Sequence, residues 1–116
     1  MSDIRAIYER IGADFDDVAS RLGSPALVER FAGKFVQDES FSQLEDALAA
    51  HDAKAAFRAA HTLKGVALNL GLSNLAAPAV ELAEALRPCV LEGVDIEPLM
   101  ATLRKAYNET VEALGK

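Results

Sequence analysis

The sequence has few of the residues that build disulfides, metal centres and nucleotide sites. Its 116 residues include one cysteine, Cys89, which excludes an intramolecular disulfide and a cysteine-based zinc site. The seven glycines are scattered, so neither a Gly-x-Gly-x-x-Gly loop nor a Walker loop is present to hold the phosphates of a nucleotide. His51 and His61 each lack a second histidine or cysteine at metal-ligand spacing. We therefore expect no cofactor and no metal.

Basic clusters and long apolar runs are also missing. The formal net charge is -6 and lysine and arginine form no block, which argues against nucleic acid and against an anionic membrane surface as partners. No apolar run approaches the roughly 18 residues of a membrane helix, and the amino terminus has no signal-peptide pattern. We expect a cytoplasmic protein.

The residues that are present favour an all-α fold. Alanine and leucine are plentiful, β-branched residues are few, and no Asn-Gly or Asp-Gly hairpin signal occurs. The length suits one core, and Met1 with the lack of a flanking linker favours a complete small protein. We expect one domain over residues 1–116: an antiparallel up-down four-helix bundle at 24–114 and one or two short capping helices within 1–23.

Capping residues, glycines and prolines divide the chain into segments. Ser24 and Pro25 are typical of a helix start, Asp52 and Asp95 are candidate N-caps, and Gly71 ends the helix before it. The expected helices cover about residues 2–11, 13–22, 25–50, 53–70, 73–87 and 96–114.

The path of the chain is open at two places. The third expected helix is interpreted as one long helix, but residues 38–40, Asp-Glu-Ser, could equally end one helix and start another with Ser40 as N-cap. Pro78 removes a backbone donor from the fifth helix and clashes with the preceding turn. We therefore expect the first turn after Ser73 to be separate or kinked.

Residues 59–65, Ala-Ala-His-Thr-Leu-Lys-Gly, place a histidine, a lysine and a glycine together on one helix. At about 100° per residue, His61 and Gly65 lie opposite the apolar stripe that contains Leu63, so we expect them to face water. Histidine side chains in water titrate at about pH 6.5, so an exposed imidazole is a competent nucleophile toward phosphorus at neutral pH. Lys64 would compensate charge on the phosphoryl oxygens, and the glycine leaves room for that group and for a partner's loop.

Other residues of the same face suit the docking of a partner. Leu68 adds an apolar patch beside the histidine, and Asn69 lies on the same side. Lys54 and Arg58, at earlier turns, can steer an acidic surface toward the site, although solvated side chains without a role are an equally good interpretation. His51 stands at a turn and has no lysine three residues later, so we interpret it as structural.

The motif at residues 61–65, with the surrounding helical pattern over about residues 26–87, resembles the signature of histidine-containing phosphotransfer (HPt) domains. The resemblance implies a phosphocarrier, not an enzyme, in which His61 accepts a phosphoryl group from the aspartate of a response-regulator receiver domain and passes it to another receiver. Lys64 then stabilises the phosphate and Gly65 is the small residue beside the ring. A monomer is expected, and the magnesium of such a transfer belongs to the receiver.

Two other functions remain alternatives. The phosphoacceptor domain of a sensor histidine kinase carries an acidic residue directly after its histidine, whereas Thr62 follows here and no ATP-binding domain follows. A helical adaptor could dock on a receiver without accepting phosphate, but the intact motif argues against it. The chain departs from the HPt pattern at Pro78 and at Val66 and Ala67, which replace the small hydroxyl residues often found after the glycine.

Overall fold

The computed structural model describes residues 3–115, and these residues form seven α-helices and no strand. In chain order the helices are α1 (Ile4–Ile11), α2 (Phe15–Leu22), α3 (Pro25–Phe35), α4 (Ser40–Ala49), α5 (Ala53–Asn69), α6 (Ser73–Leu86) and α7 (Ile96–Leu114). The predicted all-α class is confirmed. The expected helix start at Ser2 lies outside the described residues, and Asp3 caps α1 by accepting the N–H of Ala6.

Helices α4 to α7 form the four-helix bundle, because each packs on the next one along the chain and the connections are short. The stacked rings of Phe41 on α4 and Tyr107 on α7, with centroids 4.2 Å apart, close the bundle. Each helix contributes a leucine that is inaccessible to solvent, and these are Leu44, Leu63, Leu82 and Leu103. Burial of a side chain of this size contributes roughly 1.5–3 kcal/mol to folding.

The long helix expected from Pro25 to about Ala50 is wrong, because the chain breaks at residues 36–39. The hydrogen bonds at the end of α3 change to the shorter 3₁₀ pattern, in which the N–H groups of Gln37 and Asp38 donate to carbonyls three residues back. The carboxylate of Asp38 then accepts the N–H of Ser40 at 2.8 Å, which satisfies a free donor at the start of α4. The alternative of two helices is therefore correct, with Ser40 as the first helical residue and not the N-cap.

Of the separate or kinked first turn expected after Ser73, the separate turn is wrong, since α6 is one continuous helix from Ser73 to Leu86, and the kink stays a prediction. Pro78 lies inside this helix and is buried, and α6 packs on both α5 and α7. Proline in a helix removes one hydrogen bond, but the packing of the helix between two neighbours outweighs that local preference.

The two short helices predicted before residue 24 are present, and they hold the C-terminal end of α5. The hydroxyl of Tyr8 on α1 donates to the carbonyl of Leu70 at 2.7 Å, and the N–H of Asp14 donates to the carbonyl of Gly71 at 2.7 Å. Gly71 has a φ of 67°, and a Cβ there would lie 2.7 Å from the Asp14 oxygen. Glycine is required at this position both for the turn and for the close approach of α2.

Candidate functional site

His61 lies in the middle of α5, a helix of 17 residues. At 1.5 Å per residue, it is roughly 12 Å from either end. The start of α5 is fixed by Asp52, whose carboxylate accepts the N–H of Ala55 at 3.0 Å. Because the helix dipole acts mainly within the first and last turns, any charge that acts on a group bound at His61 must come from side chains.

The sides of α5 are arranged as the helical periodicity predicts. The inward residues are buried, and these are Ala56, Ala60, Leu63, Ala67 and Leu70. The opposite residues are exposed, and these are Lys54, Arg58, His61, Gly65 and Asn69. Lys64 is half-buried. It lies on the side of α5 that approaches α6, close enough to Glu84 to influence its ionisation.

The imidazole of His61 is available to react. Among residues 3–115, no side chain or backbone group forms a hydrogen bond with either of its ring nitrogens. Its neighbour is the ring of Phe57, one turn earlier on α5, with centroids 5.8 Å apart and planes at 34°. The ring is therefore supported on one side while its nitrogens remain free to attack an electrophile.

An ion pair at the end of α6 reaches Phe57, the aromatic neighbour of the histidine. Both oxygens of Glu84 accept hydrogen bonds of 2.9 Å from Arg87, and the guanidinium carbon of Arg87 lies 5.8 Å from the centre of the Phe57 ring. The hydrogen bonds and the charge of Arg87 hold the pKa of Glu84 below its usual value, and the ammonium of Lys64 lowers this pKa further. The hydrogen bonds to Glu84 and the negative charge of Glu84 raise the pKa of Arg87.

The ammonium of Lys64 is left open to an anion. Within the described part of the chain, no carboxylate lies within 4.0 Å of it and no side-chain hydrogen bond engages it. Lys64 follows His61 by three residues, which places the two side chains as neighbours on the helix surface. A dianionic phosphoryl group on the imidazole would therefore meet a cation that no described carboxylate approaches within 4.0 Å.

Gly65 is not required by the packing of the fold. It lies within α5, and no atom lies within 4 Å of the position that a Cβ would occupy. A glycine inside a helix costs about 0.5–1 kcal/mol relative to alanine, so this position is less stable than it could be. The missing side chain leaves open space one turn after His61.

The predicted docking residues share this exposed face, with one qualification. Leu68 is 53% exposed and extends the face toward the end of α5, while Lys54 and Arg58 extend it toward the start. Asn69 is partly engaged, because its carboxamide oxygen accepts a 3.4 Å hydrogen bond from Arg21 on α2.

His51 is placed apart from this face, in the turn between α4 and α5. Its φ of 55° is in the left-handed region, and the N–H of Asp52 donates to Ala47 across it at 2.9 Å, as in the motif that ends many helices. The interpretation of His51 as a turn residue agrees with this geometry.

Sequence reasoning missed four residues that surround the site. Phe57 had a usable signal, because residues four apart on a helix are neighbours. Glu84 and Arg87 come from α6 and Arg21 comes from α2, so only the packing of helices brings them near α5. No local pattern in the sequence identifies such contacts.

The described residues contain neither a metal cluster nor a membrane helix. In residues 3–115, no three His, Cys, Asp or Glu side chains lie together in a way that could hold a metal ion. No helix in the same part of the chain combines the length and the apolar character needed to cross a bilayer.

A family model for the Hpt domain matches residues 36–114, which is more than half of the chain and covers α4 to α7. Comparison with curated proteins and with solved structures gave no match. The matched range contains the bundle together with His61, Lys64 and Gly65, while α1 to α3 lie before it. The chain therefore belongs to the Hpt domain family, the histidine phosphotransfer modules of phosphorelays.

Proposed function

We propose that this protein is a phosphorelay intermediate that accepts a phosphoryl group on His61 from the aspartyl phosphate of one receiver domain and passes it to the aspartate of another. The observation that carries the proposal is the imidazole in the middle of α5, exposed and free of hydrogen bonds, with Lys64 and Gly65 beside it. Membership of the Hpt domain family supports the same chemistry.

In the proposed transfer this chain supplies the nucleophile and a cation, and the receiver supplies the magnesium. A ring nitrogen of neutral His61 attacks the phosphorus in line, a nitrogen–phosphorus bond forms, and the oxygen–phosphorus bond to the receiver aspartate breaks with its electron pair returning to the carboxylate. The other ring nitrogen keeps its proton. Lys64 compensates charge on the phosphoryl oxygens, and positioning with electrostatics is the main protein contribution to such a reaction.

Docking completes the proposal. Leu68 supplies an apolar contact, Lys54 and Arg58 attract the acidic pocket of a receiver, and Asn69 borders the contact. Leu68→Ala should slow transfer from a receiver but leave phosphorylation by phosphoramidate, a small phosphoryl donor, unchanged. An equal loss with both donors would contradict a docking role.

We propose a cytoplasmic monomer that acts as a carrier and has no nucleotide or small-molecule chemistry of its own. The single cysteine is compatible with a reducing compartment.

The direct test is to incubate the protein with a receiver labelled on its aspartyl phosphate. We expect the chain to acquire label that is stable in base and labile in acid, as a phosphohistidine is. His61→Gln should abolish the label, whereas His51→Asn should keep it, since asparagine tolerates the left-handed turn conformation. A wild-type protein that never acquires label, or a His61→Gln variant that does, would refute the proposal.

A second variant tests the role of the lysine. Lys64→Ala should slow labelling by about tenfold, equivalent to about 1.4 kcal/mol of transition-state free energy, because it removes the cation beside the phosphoryl oxygens. Lys105→Ala, which removes an exposed lysine of α7, is the matched control and should label at the wild-type rate. Equal rates for the two variants would exclude this role of Lys64.

A further inference from the structure

The Glu84–Arg87 ion pair at the end of α6 is linked to His61 through the ring of Phe57, although neither residue belongs to the motif on α5. The guanidinium carbon of Arg87 lies 5.8 Å from the centroid of the Phe57 ring, and the centroids of the Phe57 and His61 rings are 5.8 Å apart. Arg87 is also the C-cap of α6. These contacts connect the guanidinium of Arg87, and through it the carboxylate of Glu84, to the aromatic neighbour of His61.

The carboxylate of Glu84 is a competitor for the cation of the site. Lys64 is close enough to Glu84 to help lower its pKa, yet no carboxylate of the described residues lies within 4.0 Å of the Lys64 ammonium. Arg87 instead occupies both oxygens of Glu84 with 2.9 Å hydrogen bonds. Paired guanidinium–carboxylate contacts of this kind are directional as well as favourable.

We propose that Arg87 is a positioning residue for phosphotransfer: by holding Glu84 in a two-bond pair, it keeps that carboxylate from capturing Lys64 and from repelling the phosphoryl group on His61. This inference rests on the proposed function. Without Arg87, Glu84 keeps its negative charge next to the site, and Lys64 becomes its cation neighbour. The ammonium then moves toward Glu84 and is less available to the phosphoryl oxygens.

The test uses the full-length protein and phosphoramidate, a donor that removes the docking step. In the reaction the phosphorus–nitrogen bond of the donor breaks, ammonia leaves with the electron pair, and the ring nitrogen of His61 bonds to phosphorus. Arg87→Met retains bulk over Phe57 but removes the charge and the donors. We expect it to lower the labelling rate about three- to tenfold, within the range of coupling between neighbouring charged groups.

The discriminating variant is the double substitution Arg87→Met with Glu84→Gln. If Arg87 acts on Glu84, removing the carboxylate restores the rate to within about twofold of wild type. A purely structural role of Arg87 predicts that the double variant remains as slow as Arg87→Met, and that result would overturn the proposal. Unchanged labelling in Arg87→Met would overturn it as well.

Two controls separate this inference from other effects. Arg104→Ala removes an ion pair of similar exposure between α7 and α4 and should label at the wild-type rate; a loss equal to that of Arg87→Met would show that the effect is not local and would overturn the proposal. If wild-type protein is not labelled by any donor, the proposed function itself fails. Normal wild-type labelling together with an inert Arg87 refutes the inference alone.

Discussion

Gly65 is an exposed glycine inside α5, and nothing in the fold occupies the space that its side chain would fill. Alanine at such a position increases helix stability, because glycine has more backbone freedom to lose on folding. Here a glycine occupies a position where alanine would be more stable, one turn from the proposed phosphoryl acceptor. This is typical of a site where function opposes stability.

This conflict can be measured with a pair of glycine substitutions. Gly65→Ala should raise the free energy of unfolding by about 0.5–1 kcal/mol and at the same time slow transfer from a receiver, since the added methyl group crowds the phosphoryl group and the partner. Gly33→Ala is the matched control: Gly33 also lies inside a helix with no atom within 4 Å of its Cβ position. It should stabilise the protein by a similar amount without slowing transfer. Thermal unfolding and receiver-to-protein labelling give the two readouts, and unimpaired transfer in Gly65→Ala would remove the steric role.

His51 shows how a residue can be identified by position but not by conformation. The sequence places it correctly in a turn, because Asp52 follows as an N-cap. Its left-handed φ of 55° was not predictable, since glycine or asparagine normally occupies that conformation. This conformation accompanies the hydrogen bond from the N–H of Asp52 to the carbonyl of Ala47, which spans the turn.

At the scale of helices, the sequence predicted those elements whose signals are local. The start of α5 at Asp52, its end at Gly71 and the exposure of His61 all follow from spacing and capping. The sequence does not decide whether α3 and α4 are one helix or two, because a Phe- and Leu-rich stripe continues across the break. The decisive contact is the Asp38 carboxylate on the Ser40 N–H, a hydrogen bond that a helical pattern does not indicate.

The contacts between distant elements could not be predicted in the same way. Helix α1 reaches the end of α5 through Tyr8, whose partner Leu70 is 62 residues away. Arg21 reaches the carbonyl of Leu68 from α2, and Arg87 reaches Phe57 from the end of α6. Each depends on how helices pack, and the residue types involved are common on any helix surface.

The contact of α1 with α5 makes stability depend on pH in the alkaline range. Burial raises the pKa of Tyr8 to about 12, whereas tyrosine in an unfolded chain ionises at about 10. Between these values the unfolded state binds fewer protons than the folded state, so the free energy of unfolding falls as pH rises. The contribution of Tyr8 is therefore complete below about pH 10 and is lost as pH approaches 12.

Tyr8→Phe tests this dependence. At neutral pH the variant should be less stable than wild type by about 1 kcal/mol, because the buried carbonyl of Leu70 loses its hydrogen bond. Between about pH 10 and 12 the wild type should lose stability by on the order of 2 kcal/mol more than the variant, so that the difference shrinks and reverses. Urea unfolding at a series of pH values measures both curves. Parallel curves through this range would contradict the assignment.

At the scale of the whole molecule, the family match and the folding unit have different boundaries. The match begins at residue 36, but one continuous core extends from α1 to α7. Residues before the match are part of that core, and among them Ile4, Tyr8, Phe15 and Val18 are all buried. The capping helices therefore belong to the same cooperative structure as the proposed phosphoryl site.

A truncated chain of residues 36–116 should accordingly lose cooperative folding. Each of the removed buried side chains contributes roughly 1.5–3 kcal/mol, and their removal uncovers Leu70 and the end of α5. Domains of this size are stable by only about 5–15 kcal/mol, so the loss is comparable with the entire free energy of unfolding.

Circular dichroism of the fragment should show a broad unfolding transition at low temperature. Labelling by phosphoramidate should fall because the end of α5 is no longer held. Arg5→Ala in the full chain is the control: it removes the exposed pair with Asp16 and the contact of the guanidinium with the Phe15 ring, each worth about 0–1 kcal/mol, and should preserve a sharp transition. A sharp transition in the fragment, near that of the full chain, would instead show that the matched region folds without its capping helices.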